Sequence, residues 1–168
     1  MTTTTTTDRR PAMSDIHIVR DYPHPPAKVW RALTDPGLME LWMIAARPEG
    51  FSTVVGTRFR FVGKRQPGWS GIVDCEVLEA RAPSLFRYAW VADGGDATQV
   101  TYRVEPIDGG TRFTFEHTGF TGIGGFLLAK LVMTPIRKKM FGVRIPALLA
   151  DVDDDGALRP GSTLKPRR

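Results

Sequence analysis

Residues 109–133, GGTRFTFEHTGFTGIGGFLLAKLVM, decide the fold. The Gly109-Gly110 pair makes a tight turn. Behind it Phe113, Phe115 and His117 alternate with Arg112, Thr114 and Glu116. That is the period of a half-buried strand, with rings and one imidazole on its inner face. Gly119, Gly122, Gly124 and Gly125 stop the alternation, and the apolar run from Phe126 reads as helix. A strand that sends aromatics inward and passes directly into an apolar helix implies a sheet with a helix laid across it. What fills the space between them is the functional question.

Upstream, the same alternation recurs. Phe59 and Phe61 share a face, as do Val73, Cys75 and Val77, then Phe86, Tyr88 and Trp90, then Val100, Tyr102 and Val104. Asp93-Gly94-Gly95-Asp96 is a hairpin signal, and Asp108-Gly109-Gly110 turns into the quoted strand. Strands joined by such turns form an antiparallel meander. Ile16 and Ile18 mark a first strand, ended by Pro23, Pro25 and Pro26. Pro26 suits the first turn of a helix, where its missing N–H costs nothing, and Val29, Trp30 and Leu33 continue at helical spacing. Asp35 can cap a second helix with Pro36 at its first position and Leu38, Leu41 and Trp42 as its apolar stripe. The last helix runs over about residues 124–152, carrying as its apolar residues Leu128, Leu131, Val132 and Ile136, then Met140, Phe141, Leu148 and Leu149. Pro135 and Pro146 must kink or split it. The fold class is therefore α+β: about six antiparallel strands, two short helices after the first strand, and a long C-terminal helix.

The 168 residues suit one domain over residues 15–152, between a disordered N-terminal tail (1–14, with the run Thr2 to Thr7) and a disordered C-terminal tail (153–168). Met1 and Met13 are both candidate starts. No apolar run reaches the roughly 18 residues of a membrane span, and no secretory signal is recognisable. The single Cys75 excludes an internal disulfide framework and suits the reducing cytoplasm, where we expect the protein. The net charge of +5 gathers in Arg9-Arg10, Arg137-Lys138-Lys139 and Lys165 to Arg168, read as solvated surface and tails. No nucleic-acid motif accompanies it.

Three segments carry a family resemblance: HPPAKVWRALTDPGLMELWM at 24–43, VGTRFRF at 55–61 and GTRFTFEHTGF at 110–120. With the element order, they resemble the START-like (SRPBCC) helix-grip superfamily. Within it the chain is most similar to the family named for the C-terminal domain of the activator of heat-shock protein 90 ATPase. The resemblance runs from about Ile16 to Leu149. It implies a strongly bent sheet around the long helix, with a cavity between them for small apolar molecules. It implies no single activity, because the superfamily includes lipid and hormone carriers, polyketide cyclases and chaperone-binding modules. Relatives commonly carry a Gly-Trp pair in the last helix; here Thr134-Pro135-Ile136 and Phe141-Gly142-Val143 stand instead.

The expected ligand-binding wall comprises Phe59, Phe61 and Val73, then Tyr88, Trp90 and Tyr102, then Phe115 and His117. Trp42 joins it from the second short helix, and Leu128 and Val132 from the last one. Each ring is also explained as plain core, but together they form an apolar wall with a few polar tips. His117 is the inward titratable residue, a ligand contact or a candidate general base. No acid or base shares its face, and a structural imidazole is the competing reading. His17 and His24 lack zinc-ligand spacing. Asp151, Asp153 and Asp155 imitate half a calcium loop, but Ser162 stands where a bidentate Glu is needed. Ser70 and Ser84 lack a hydrolase context, and Cys75 reads as a small core residue. We expect no metal and no cofactor.

The leading functional reading is binding of a small hydrophobic or aromatic molecule between sheet and helix. The alternatives are a cyclase- or dehydratase-like enzyme on a polyketide-type substrate and a chaperone-interaction module. The enzyme reading requires a carboxylate or arginine converging on His117. Beyond a small molecule, the partner classes considered are a chaperone or a second copy of the chain.

Overall fold

A computed structural model describes Met13 and residues 15–165; the expectations for residues 1–12, for residue 14 and for 166–168 lie outside it. The chain runs β1 (Ile16–Tyr22), α1 (Pro26–Thr34), α2 (Pro36–Trp42), β2 (Ala46–Glu49) and β3 (Arg58–Gly63). It continues through β4 (Ile72–Arg81), β5 (Leu85–Ala92), β6 (Thr98–Ile107) and β7 (Gly110–Thr118) into a helical stretch over residues 122–151. The sheet order is β1-β7-β6-β5-β4-β3-β2, antiparallel at every pairing. This is the expected helix-grip architecture. The seventh strand is β2, ARPE, which has no alternation and carries Pro48. It exists because β3 offers it a free edge, and an edge strand tolerates proline.

The turns behave as their residues dictate. Pro26 and Pro36 open α1 and α2, and Asp35 Oδ1 accepts the Leu38 N–H at 3.1 Å. Gly109 adopts φ +78°, and a Cβ at Gly110 would collide with the Tyr22 carbonyl oxygen where β7 starts beside the end of β1.

Neither proline breaks the C-terminal helix. Two wider π windings, Leu128–Met133 and Met140–Arg144, absorb them, each lying just before its proline. In the second, the Ile145 N–H reaches back to the Met140 carbonyl. The next donor in that register belongs to Pro146, which has none, so the Phe141 carbonyl loses its helical partner. The buried Tyr22 hydroxyl, from β1, donates to it at 2.7 Å. Arg144 fastens the same region to α2, donating from Nε to Trp42 O at 3.0 Å and from Nη2 to Leu41 O at 2.6 Å. These carbonyls end α2 and have no helical donors of their own.

The helix's two halves differ. Ile145, Leu148 and Leu149 are buried, and this end of the helix meets α1 and α2. In the first half only Ala129 is buried, while Ile123, Leu127, Leu128, Leu131 and Val132 turn substantially to solvent. No described helix is long and apolar enough to cross a membrane. After the helix the chain stays on the body: Val152 pairs with Leu158, the Asp154 carbonyl accepts from Arg31, and Asp154 Oδ1 faces buried Lys28 at 3.8 Å. Asp153 Oδ1 accepts the N–H groups of Asp155 and Ala157, each at 2.9 Å, so it serves its own turn.

Tyr22→Phe should cost about 1–3 kcal/mol in denaturant unfolding, because it strands a buried carbonyl. In a Pro146→Ala background, where the amide donor returns, the same change should cost less; the coupling in a double-mutant cycle measures the difference.

Candidate functional site

The inner face of the sheet is a mosaic of rings. Strand β4 contributes only small side chains there, Val73, Cys75 and Val77, and the rings of β3 and β5 meet above it. Phe59 and Tyr88 lie 5.5 Å apart between centroids, as do Phe61 and Trp90. Tyr88 passes the contact to Tyr102 at 5.8 Å, Tyr102 to Phe115 at 5.9 Å, and Phe115 to Phe141 of the helix at 4.8 Å. Tilted and edge-on pairs of this kind each contribute about 0.5–1.5 kcal/mol beyond burial. The Tyr88 and Tyr102 hydroxyls share one hydrogen bond at 3.2 Å, and burial raises the pKa of both.

At one end of this wall stands His117, fully buried among Trp90, Phe115 and Phe120. Its Nε2 lies 2.7 Å from Thr98 Oγ1, and that hydroxyl spends its hydrogen on the Trp90 carbonyl at 3.2 Å. With that hydrogen on the carbonyl, the Thr98 oxygen is the acceptor and His117 Nε2 carries the proton. Nδ1 is left as a bare lone pair, buried and without a hydrogen-bond partner. Desolvation first, and the Arg137 charge second, hold the His117 pKa well below the ordinary imidazole value. The ring stays neutral, and its free nitrogen is an acceptor.

Arg137 is the second polar group. Only 6% exposed, it holds its guanidinium carbon 4.9 Å from the Trp90 ring centre and 5.3 Å from that of Phe115. Nη1 reaches Met140 Sδ at 3.8 Å. Among the described residues no carboxylate lies within 4.0 Å of it, and the ion pairs elsewhere use other cations. Cation–π contact contributes about 2 kcal/mol when desolvated, whereas stripping water from an ion costs several.

The Activator of Hsp90 ATPase homolog 1-like family has a sequence signature that matches residues 23–124. The chain belongs to this family. A crystal structure of protein MLL2253 from Mesorhizobium loti is similar at 29% identity over 83% of this chain and 98% of that one, with a TM-score of 0.68. A Rhodobacter sphaeroides protein is similar at 21% identity over 86% and 97%, TM-score 0.73. DynU16, described as a putative protein in the dynemicin biosynthetic locus, is similar at 21% identity over 82% of this chain and 47% of its own, TM-score 0.64. The last two likenesses concern the fold alone. No functionally curated protein matches the chain.

In this member of the family, the wall residues expected from sequence come together: Phe59, Phe61, Val73, Tyr88, Tyr102, Phe115 and His117 are all buried, with half-buried Trp90 at their edge. Trp42 is buried too, but its indole N–H donates to the Ala32 carbonyl at 2.7 Å and ties α2 to α1. Leu128 and Val132 are misplaced: they are 45% and 50% exposed, and the inward line of the helix is Ala129, Met133, Arg137 and Met140. Arg137 was hidden in the triplet Arg137-Lys138-Lys139, whose two lysines are indeed exposed. Its spacing of four from Met133 was the available signal. Trp90 and Phe120, which contact the His117 ring, are only partly buried, as are Met133 and Ile136 of the helix. A separate concavity of about 640 Å³ is bordered by Arg58, Arg60, Asp74 and Glu76 on the outer face. Its charges already pair, Arg60 with Asp74 at 2.7 Å and Arg58 with Glu76 at 3.4 Å.

Stability should fall as pH drops below about 6.5, because the unfolded His117 then takes up a proton that the folded one refuses. The expected loss from this residue is about 1.4 kcal/mol per pH unit, and His117→Phe should flatten the unfolding free energy between pH 6.5 and 5 accordingly. Arg137→Met, which removes the unpaired cation at similar volume, should raise stability by about 1–3 kcal/mol in denaturant unfolding.

Proposed function

We propose that this protein binds a small aromatic molecule in the ring-lined region between the sheet and the C-terminal helix, in a reducing, cytoplasmic setting. The observation that carries this reading is the partnerless Nδ1 of His117 within the aromatic wall. Buried polar atoms almost always have a partner, and leaving one bare costs about 1–3 kcal/mol. A donor from outside the chain removes that cost. Rings on the neighbouring strands suit a flat apolar body attached to that donor, and the partly buried fringe at Trp90 and Phe120 is the natural way in. Membership of a family that commonly holds hydrophobic ligands agrees with this reading.

A ring system the size of an indole side chain hides about 200–250 Å², which contributes about 5–6 kcal/mol before ordering costs. Alone that gives a Kd on the order of 100 μM. Polar contacts must supply the rest.

The enzyme alternative gains one feature from Arg137, whose charge acts on His117. The same charge and the burial make His117 a poor proton acceptor, so the arrangement favours holding a ligand over abstracting its proton.

The reading is tested with 1-naphthol and naphthalene, followed by tryptophan fluorescence. Both should bind the wild-type protein, 1-naphthol more tightly. In His117→Phe the advantage of the hydroxyl should shrink about tenfold while naphthalene is little changed. Absence of any signal with either compound, together with no rise in Tm, would overturn the proposal.

A further inference from the structure

Resting on the site just proposed, we infer that its ligand is a monoanion, an aromatic carboxylic acid in its ionised form, whose oxygens pair with the guanidinium of Arg137. The case begins with charge balance. Arg137 is 6% exposed, and no described carboxylate comes within 4.0 Å of it. An arginine keeps its charge in protein interiors. The groups whose charge is felt between them and Arg137 are His117, Tyr88, Tyr102 and Cys75, and all of these are neutral. Among the described residues, the interior around the guanidinium therefore holds one positive charge and nothing to offset it.

The contacts around the guanidinium narrow the ligand further. It lies against the rings of Trp90 and Phe115, and Nη1 donates to a thioether sulfur at 3.8 Å, a weak acceptor. Its planar donor fork matches a carboxylate in two parallel hydrogen bonds. The neighbouring cations Lys138 and Lys139 are exposed, so a dianion such as a phosphate monoester would bring a second charge that no described buried group offsets. Trp90 borders both Arg137 and His117, at 4.9 Å from the former and 5.4 Å from the latter. A flat acid lying along that indole would present its carboxylate to one and a hydroxyl or N–H to the other. The site thus accounts for two unsatisfied groups with one molecule.

The test compares 2-naphthoate with 2-naphthamide, which has nearly the same shape and no charge, by tryptophan fluorescence and calorimetry on the full chain. The expected result is that wild-type protein binds 2-naphthoate at least tenfold more tightly than 2-naphthamide. Arg137→Met should erase that preference, and Arg137→Lys, which keeps the charge but not the fork, should retain part of it. Far-ultraviolet circular dichroism and Tm establish that each variant is folded; if one is not, the wild-type ratio alone decides. Equal binding of the two compounds by the wild-type protein would overturn the charge inference and leave the aromatic site standing. Failure of both compounds, with 1-naphthol and naphthalene also silent, would remove the site itself.

Discussion

Phe141 is the point at which the C-terminal helix is fixed to everything else. Its ring contacts Phe113 at 5.1 Å, Phe115 at 4.8 Å and Trp42 at 6.0 Å between centroids. Its carbonyl, deprived of a helical donor by Pro146, takes the hydroxyl hydrogen of Tyr22. One residue thereby joins β1, β7 and α2 to the helix. Proline ordinarily weakens a helix interior by about 3 kcal/mol. Here the freed carbonyl becomes a long-range attachment, and the wider winding lets the helix continue. Arg137 lies one turn before this anchor, which is why a cation comes to rest over Trp90 and Phe115.

The chain is locally consistent almost everywhere: alternating strands, turn glycines, proline-led helices and outward charges on the sheet. Surface ion pairs such as Arg112 with Asp21, at 2.8 Å, are adequate for an exposed face and individually worth little. The interior breaks that consistency at two neighbouring positions, a neutral histidine with one bare nitrogen and an arginine with no counter-charge among the described residues. Such violations concentrate where a protein meets something other than itself. Their proximity to the same indole is what distinguishes them from isolated packing faults.

The alternation of Phe113, Phe115 and His117 made β7 legible, and the same period with glycine turns made β3 to β6 legible. Proline and aspartate positions marked α1 and α2. Strand β2 was not legible, since four residues with Pro48 carry no period; only the open edge of β3 calls it into being. The face of the first half of the C-terminal helix was misassigned for a related reason, whereas Met140, Phe141, Leu148 and Leu149 in the second half are buried as expected. FLLAKLVM is apolar nearly all round and carries no phase, and two π windings then rotate the later turns relative to a regular helix. Leu128 and Val132 point outward, and Arg137, which composition groups with its exposed lysine neighbours, points in.

The sequence by itself determined the meander, the two proline-started helices and the inward placement of the rings and His117, because those depend on backbone period and on turn chemistry within a few residues. Tertiary structure alone decided which side of the last helix faces the rings, that Thr98 would occupy one nitrogen of His117 and leave the other bare, and that Arg137 would be buried without a counter-charge among the described residues. These outcomes depend on distances between segments far apart in the chain, where a single hydroxyl donated elsewhere or one widened helical turn changes which groups meet.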